Sequence, residues 1–292
     1  MITASSRPSA QAFRLRTMNR GRHTNPVSAS MALAMLFCAA SQAIAQSADT
    51  AIRSRPAAFF ALPMELEMDN GADNGDAIIL RFLPLYTLPV LESFKVVHID
   101  LVTLADSPGG IPGRPGNPEP EGGERVFGLG DLVHASLYTP AGSDNFIWGA
   151  GVMLGVPTAS NGQLGSGKWS AGPAFRVTYR NGPWNFSALG GQRWSFAGDA
   201  ERADVSQLMI RGAINRQFDD GWFFASSPII TANWNAAGQK WLIPLGGGIG
   251  RRFDIASDPW AWSVQGYYNV IKPDGAPNWS VRLSIVTAIP LD

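Results

Sequence analysis

From about residue 58 to the C-terminus one pattern repeats: short segments in which apolar and polar residues alternate, each closed by turn-forming residues. A β-strand turns successive side chains to opposite faces, so sustained alternation dictates two-faced strands. Residues 168–180 show it. Trp169, Ala171, Pro173, Phe175, Val177 and Tyr179 form an apolar, aromatic face, while Lys168, Ser170, Gly172, Ala174, Arg176, Thr178 and Arg180 form a small, polar or cationic one. Asn181-Gly182 is expected to be the central pair of a tight hairpin, because both residues tolerate positive φ. Taken alone, such a strand fits two environments. Its apolar face can cover a soluble core with the arginines in water, or meet lipid with the arginines lining a wet interior.

The alternating segments are 58–69, 77–89, 94–105, 127–139, 146–157, 169–180, 184–196, 206–217, 222–234, 241–254, 260–270 and 279–290. These twelve segments are each near the 9–11 residues that a tilted membrane-spanning strand requires. Their connections differ in kind. Every other one is long or rich in Gly and Pro (NGADNGD, DSPGGIPGRPGNPEPEGGER, TASNGQLGSGK, AGDAERAD, NAAGQK, KPDGAPN). Those between are short: LES, PAGSDN, NG, DDG and an ASDP-type turn. Long loops at one end and tight turns at the other suit an outer-membrane barrel, the loops outside the cell and the turns in the periplasm. All ten tryptophans lie between residues 148 and 279, most at strand margins, where an amphipathic ring suits the membrane interface better than a soluble core.

The first 45 residues hold five arginines and no acid, then the apolar run 31–40 and Ala43-Ile44-Ala45. That is the layout of a secretory signal peptide cleaved near Ala45, with Met18 as an alternative start. Residues 46–57 read as a periplasmic N-terminal segment and 58–292 as the barrel. Cleavage removes Cys38, the only cysteine, and leaves 18 basic residues against 23 acidic. A mildly acidic exported chain excludes nucleic acid as a partner. Its partners are instead outer-membrane lipids, small-molecule solutes and the outer-membrane assembly machinery. With only His98 and His134 after residue 45 and no thiol, no metal site and no cofactor are expected.

Parity assigns the candidate lumen-lining residues: Glu65, Glu67, His98, Asp100, Arg176, Arg180, Arg193, Arg211 and Arg282. Charges inside a barrel either guide a solute or pair across the interior and fill it. Closure brings the last segment beside the first, so Arg282 is expected opposite Glu65 or Glu67. Gly246-Gly247-Gly248 and Gly250 lack the Lys-Ser/Thr and helix of a phosphate loop and read as a bend or close backbone approach. His134-Ala-Ser136 matches the His-x-Ser of outer-membrane phospholipases, and alternation puts both side chains on one face. Those enzymes continue Ser-Asn-Gly, whereas Leu137-Tyr138 follows here, so His134 is read as an ordinary interior histidine. The Pro/Gly-rich loop 106–125 is compatible with folding into the barrel and with lying outside it.

Five stretches, GLGDLVHASLYTP (128–140), GVPTASNGQLGSGKWSAGPA (155–174), GWFFASSPIITANWNA (221–236), WLIPLGGGIGRRF (241–253) and WSVQGYYNVIKPDGAPNWSVRLSI (262–285), occur in this order. They resemble the bacterial outer-membrane proteins associated with the meta-cleavage pathway of phenol degradation. The resemblance implies a Gram-negative outer-membrane barrel, a role in uptake of small, often aromatic molecules, and no catalytic residues. The expected fold is an all-β, antiparallel up-and-down transmembrane barrel of about twelve strands. The expected function is non-enzymatic, porin-like passive transport of small aromatic or hydrophobic solutes. A non-conducting structural or adhesive barrel is the alternative. A secreted soluble β-protein and an outer-membrane lipid hydrolase are more distant ones.

Overall fold

The computed structural model describes residues 59–290 apart from 92, 142–144 and 256–257; the expected signal peptide and the 46–57 segment lie outside the described residues. Strand segments follow one another along the chain. β1 (Phe59–Asn70) precedes β2 (Ala77–Phe82) and β3 (Leu85–Leu91), two pieces of one stave parted at Leu83-Pro84. β4 (Phe94–Ser107) is unbroken, and β5 (Val126–Leu129) and β6 (Leu132–Pro140) share the next stave. β7 (Phe146–Val156), β8 (Lys168–Asn181), β9 (Trp184–Gly198) and β10 (Ser206–Gln217) follow. A 3₁₀ turn, Asp219–Gly221, leads into β11 (Trp222–Ser226) and β12 (Ile229–Asn233). β13 (Trp241–Ile255), β14 (Asp258–Ile271) and β15 (Trp279–Pro290) complete the set.

Each stave pairs antiparallel with the stave before and after it, and β15 pairs with β1 from Phe59↔Pro290 to Asn70↔Trp279. The result is a closed twelve-stave up-and-down barrel, one stave for each alternating segment of the sequence. Closure leaves no unpaired edge, which is how a β-fold without disulfides removes its aggregation-prone rim. Two of the three broken staves break at Leu83-Pro84 and Ser227-Pro228, where proline has no N–H to give to the ladder.

The two rims differ as the connections foretold. One carries 71–76, 108–125, 157–167, 199–205, 234–240 and 272–278, and the other carries tight turns. In the hairpin after β8, Asn181 pairs with Trp184, so the central residues are Gly182-Pro183 rather than Asn181-Gly182. Gly182 has φ 54°, while Asn181 stays in the strand. Glycine at the first central position and proline at the second supply the positive and then negative φ of a II′-type hairpin.

Outward positions are apolar and exposed, among them Ile78, Val152, Phe175, Ile214, Leu245 and Val264. Trp148, Trp169, Trp184, Trp194, Trp222, Trp234 and Trp279 are exposed too, near the rims. Inward positions are buried, and on much of the wall they are polar: Glu65, Glu67, Arg81, Ser170, Arg176, Arg193, Gln207, Gln265 and Arg282. This is the reverse of a soluble sandwich, whose polar face meets water. The inward glycines of β13 mark close approach. A Cβ on Gly246 or Gly248 would fall 1.9 or 1.8 Å from the carbonyl oxygen of Gly266 or Val264 on β14. At Gly250 it would meet the ring of buried Phe223 at 2.3 Å. Among the described residues no helix is long and apolar enough to cross a membrane.

Candidate functional site

The lumen is built in three zones. In the middle, β1 presents Glu65 and Glu67, both inward because they are two residues apart. Glu67 accepts from Arg81 of β2 at 3.0 Å and from Arg282 of β15 at 2.5 Å. Arg282 is also Glu67's register partner across the closing seam and lies 3.9 Å from Glu65. Glu65 is bonded by both terminal nitrogens of Arg211, which stands on β10 at the far side of the ring. This pair therefore crosses the lumen. Arg282 reaches across as well, donating at 2.6 Å to the Ser227 carbonyl exposed by the β11–β12 break. Its guanidinium lies 5.0 Å from the Tyr267 ring centre. Each buried charge is thus met by opposite charge or a fixed dipole, as a low-dielectric interior requires.

The loop-rim zone holds residues 108–125, which fold into the barrel. Thr231 Oγ1 donates to the Gly113 carbonyl at 2.7 Å, and Gln207 Nε2 to the Arg114 carbonyl at 2.8 Å. The amide of Gly116 donates back to Gln207 Oε1 at 3.3 Å, and Arg193 holds the same oxygen at 2.8 Å. Ile111 is buried, and the Arg114 guanidinium donates to Ser107. The loop leaves from β4 and is caught by β10 and β12 on the opposite wall, so it spans the interior. Burial and the nearby Arg81 outweigh the help from Asp69 and bring the Arg114 pKa down to about 10.

Below these, the lumen divides by side. Leu83, Ile99, Leu101, Val133, Met153 and Leu189 line an apolar space of about 50 Å³. Toward the turn rim the lining is polar, with Arg176 and Thr178 of β8, Asn185 of β9 and Asn215 of β10 buried. Side-chain polar atoms of Thr87, Thr139, Thr178, Asn185 and Asn215 have no hydrogen-bond partner among the described residues.

Glu65, Glu67, Arg176, Arg180, Arg193, Arg211 and Arg282 thus stand on inward positions. His98 and Asp100 do not. On β4 the odd positions Val97, Ile99, Leu101 and Ala105 are the buried ones, and His98 and Asp100 alternate to the outer surface. His134 is corrected with them, since β6 buries Val133, Ala135 and Leu137 and turns His134 and Ser136 outward. The physical reason is the apolar side of the lumen. There the inward face is as hydrophobic as a lipid face, so polarity alone assigns these two strands backwards. Register then sets His98 opposite Ser136 and Asp100 opposite His134. The four side chains are linked: Asp100 Oδ1 to His134 Nδ1 at 2.7 Å, His134 Nε2 to Ser136 Oγ at 2.8 Å, and Ser136 Oγ to His98 Nδ1 at 3.0 Å. Tyr86 stacks on His98 with centroids 4.6 Å apart.

Arg81 and Ser227 were missed. Arg81 shares inward parity with Ala77 and Ile79 and was legible from that alternation. Ser227 acts through its backbone at a stave break, which no side-chain pattern signals.

No protein-family model matches this chain, and no curated protein matches it. Among solved structures it is similar to "Salmonella typhi OmpF complex with Daunomycin" at 10% identity and a TM-score of 0.39, over 80% of this chain and 97% of that one. At that score the likeness adds nothing to the pairing itself, and the resemblance to phenol-pathway proteins rests on the stretches quoted above. The chain is a closed, antiparallel twelve-stave β-barrel, apolar outside and ion-paired within.

Proposed function

We propose that this barrel lies in a bacterial outer membrane and passes small, weakly polar solutes, aromatic ones among them, without energy coupling. The observation that carries this reading is the inverted surface: exposed apolar side chains outside, with a polar lumen whose Thr and Asn groups keep unused hydrogen-bonding capacity. Water or a hydroxyl-bearing solute would use that capacity. The resemblance to proteins of phenol catabolism supports an aromatic solute. Passage is slow in this arrangement, because loop 108–125 and the Glu65–Arg211 pair both cross the path.

The same crossings favour a second reading, a non-conducting structural barrel. Purified protein in liposomes, assayed for swelling with phenols, sugars and organic acids, separates the two. Swelling with phenols above protein-free vesicles is expected. Freeing the loop with Gln207→Ala and Thr231→Val together is expected to raise the rate severalfold and admit larger sugars. No swelling with either protein leaves the structural reading.

A further inference from the structure

We infer that the outward cluster on β4 and β6 is a hydrolytic site, with Ser136 as nucleophile, His134 as base and Asp100 as the residue that positions His134, acting on acyl esters of membrane lipids. The connectivity is that of a serine hydrolase, nitrogen by nitrogen. Asp100 meets Nδ1 of His134, and Ser136 meets Nε2. With Nδ1–H donated to the carboxylate, neutral His134 keeps its lone pair at Nε2, where it can accept the Ser136 proton. His98 Nδ1 lies 3.0 Å from Ser136 Oγ on the other side and can donate to that oxygen, which orients it toward His134.

Location argues for function over packing. The cluster stands on the outer surface, with the Asp100 and His134 side chains 22% and 27% exposed, among apolar neighbours such as exposed Val152. An ionisable group set toward lipid costs free energy that a valine there would not. Two strands supply the site in pairs, residues 98 and 100 facing 136 and 134, so the barrel wall holds it rigidly. Tyr138 is two residues from Ser136 on the same face, about 7 Å along the strand. Tyr138, Trp148, Tyr179 and Trp184 are exposed toward the turn rim, where interfacial aromatics mark the headgroup boundary, and Tyr86 is level with His98 and Ser136 in the ladder. Ser136 is four residues in from the turn-rim end of β6, so an acyl ester reaches it from the bilayer side, whereas a site inside the lumen would meet none.

In the reaction Ser136 Oγ adds to the ester carbonyl carbon as its proton passes to His134 Nε2. The tetrahedral adduct expels the alkoxide, which takes that proton and leaves as the lyso-lipid, with the acyl group on Ser136. Water then adds to the acyl carbon, gives its proton to His134, and collapse returns a proton to Ser136 Oγ and releases the fatty acid.

The test uses the full-length protein in vesicles of phosphatidylethanolamine and, separately, of lipid A, with free fatty acid measured in both. In parallel, detergent-solubilised protein is treated with a fluorophosphonate and the modified residue identified by peptide mass spectrometry. Fatty acid release from either lipid, attachment at Ser136, and loss of both by roughly a hundredfold or more in Ser136→Ala are expected. The variant should keep the wild-type gel shift on heating and its solute swelling rates, which separates this outcome from failure of the channel reading. Asp100→Asn is expected to lower kcat with KM unchanged, because Asp100 acts only through His134. If folded wild-type protein takes no fluorophosphonate at Ser136 and releases no more fatty acid than Ser136→Ala, the inference is overturned.

Discussion

A carboxylate shut inside a barrel persists only while cations hold it, and Glu65 is fully buried between Arg211 and Arg282. Removing its charge takes from Arg211 the carboxylate it holds across the lumen, while Arg282 keeps Glu67. Breaking one partner of such a pair costs about 3–5 kcal/mol. Glu65→Gln is therefore expected to lower the temperature at which the folded band disappears on unboiled gels. Glu65→Gln combined with Arg211→Leu should recover much of the loss, because neither partner is then left alone. Full destabilisation in the double variant would show that the bond across the lumen is not what matters. At this scale the sequence was readable where charge and parity agreed. Arg282 was expected beside Glu65 or Glu67 because the last strand must meet the first, and it is bonded to Glu67. Arg211 as the partner of Glu65 was not readable, since which stave lies opposite β1 follows from the circumference and not from any local pattern.

At the scale of elements, all twelve alternating segments became staves, because period-two alternation bounded by turn residues has few other outcomes. What alternation could not say was which face points inward. β8 was easy, since Arg176 and Arg180 mark one face and Phe175 and Val177 the other. β4 was not, since Val97, Ile99 and Leu101 look like a lipid face and are instead packed on Met153, Leu189 and Met209 inside. A nitroxide at Val102 should collide with oxygen dissolved in the bilayer, and one at Thr103 should not. Equal collision rates would contradict the orientation of β4, and with it the outward placement of His98 and Asp100. Loop 108–125 stayed open for a different reason. Prolines and glycines remove periodicity, and its inward course is decided by Gln207 and Thr231, about a hundred residues further on.

For the whole molecule, a closed ladder with exposed apolar side chains all round predicts that the chain from residue 46 folds only in detergent or lipid, and migrates faster on gels before boiling than after. A monomer soluble without detergent and unchanged by heating would refute the membrane reading. The seam between β1 and β15 carries one further consequence. Glu67 and Arg282, neighbours in the wall, are 215 residues apart in the chain. In a nascent barrel still lacking its final strand, Arg282 is missing from both carboxylates, while Arg81 and Arg211 can still hold Glu67 and Glu65. Arrival of the last strand brings a third guanidinium, that of Arg282, to the two carboxylates and closes the ring in one step. The same strand supplies both the closing ladder and the cation that joins the two carboxylates, so a chain truncated before residue 279 loses them together.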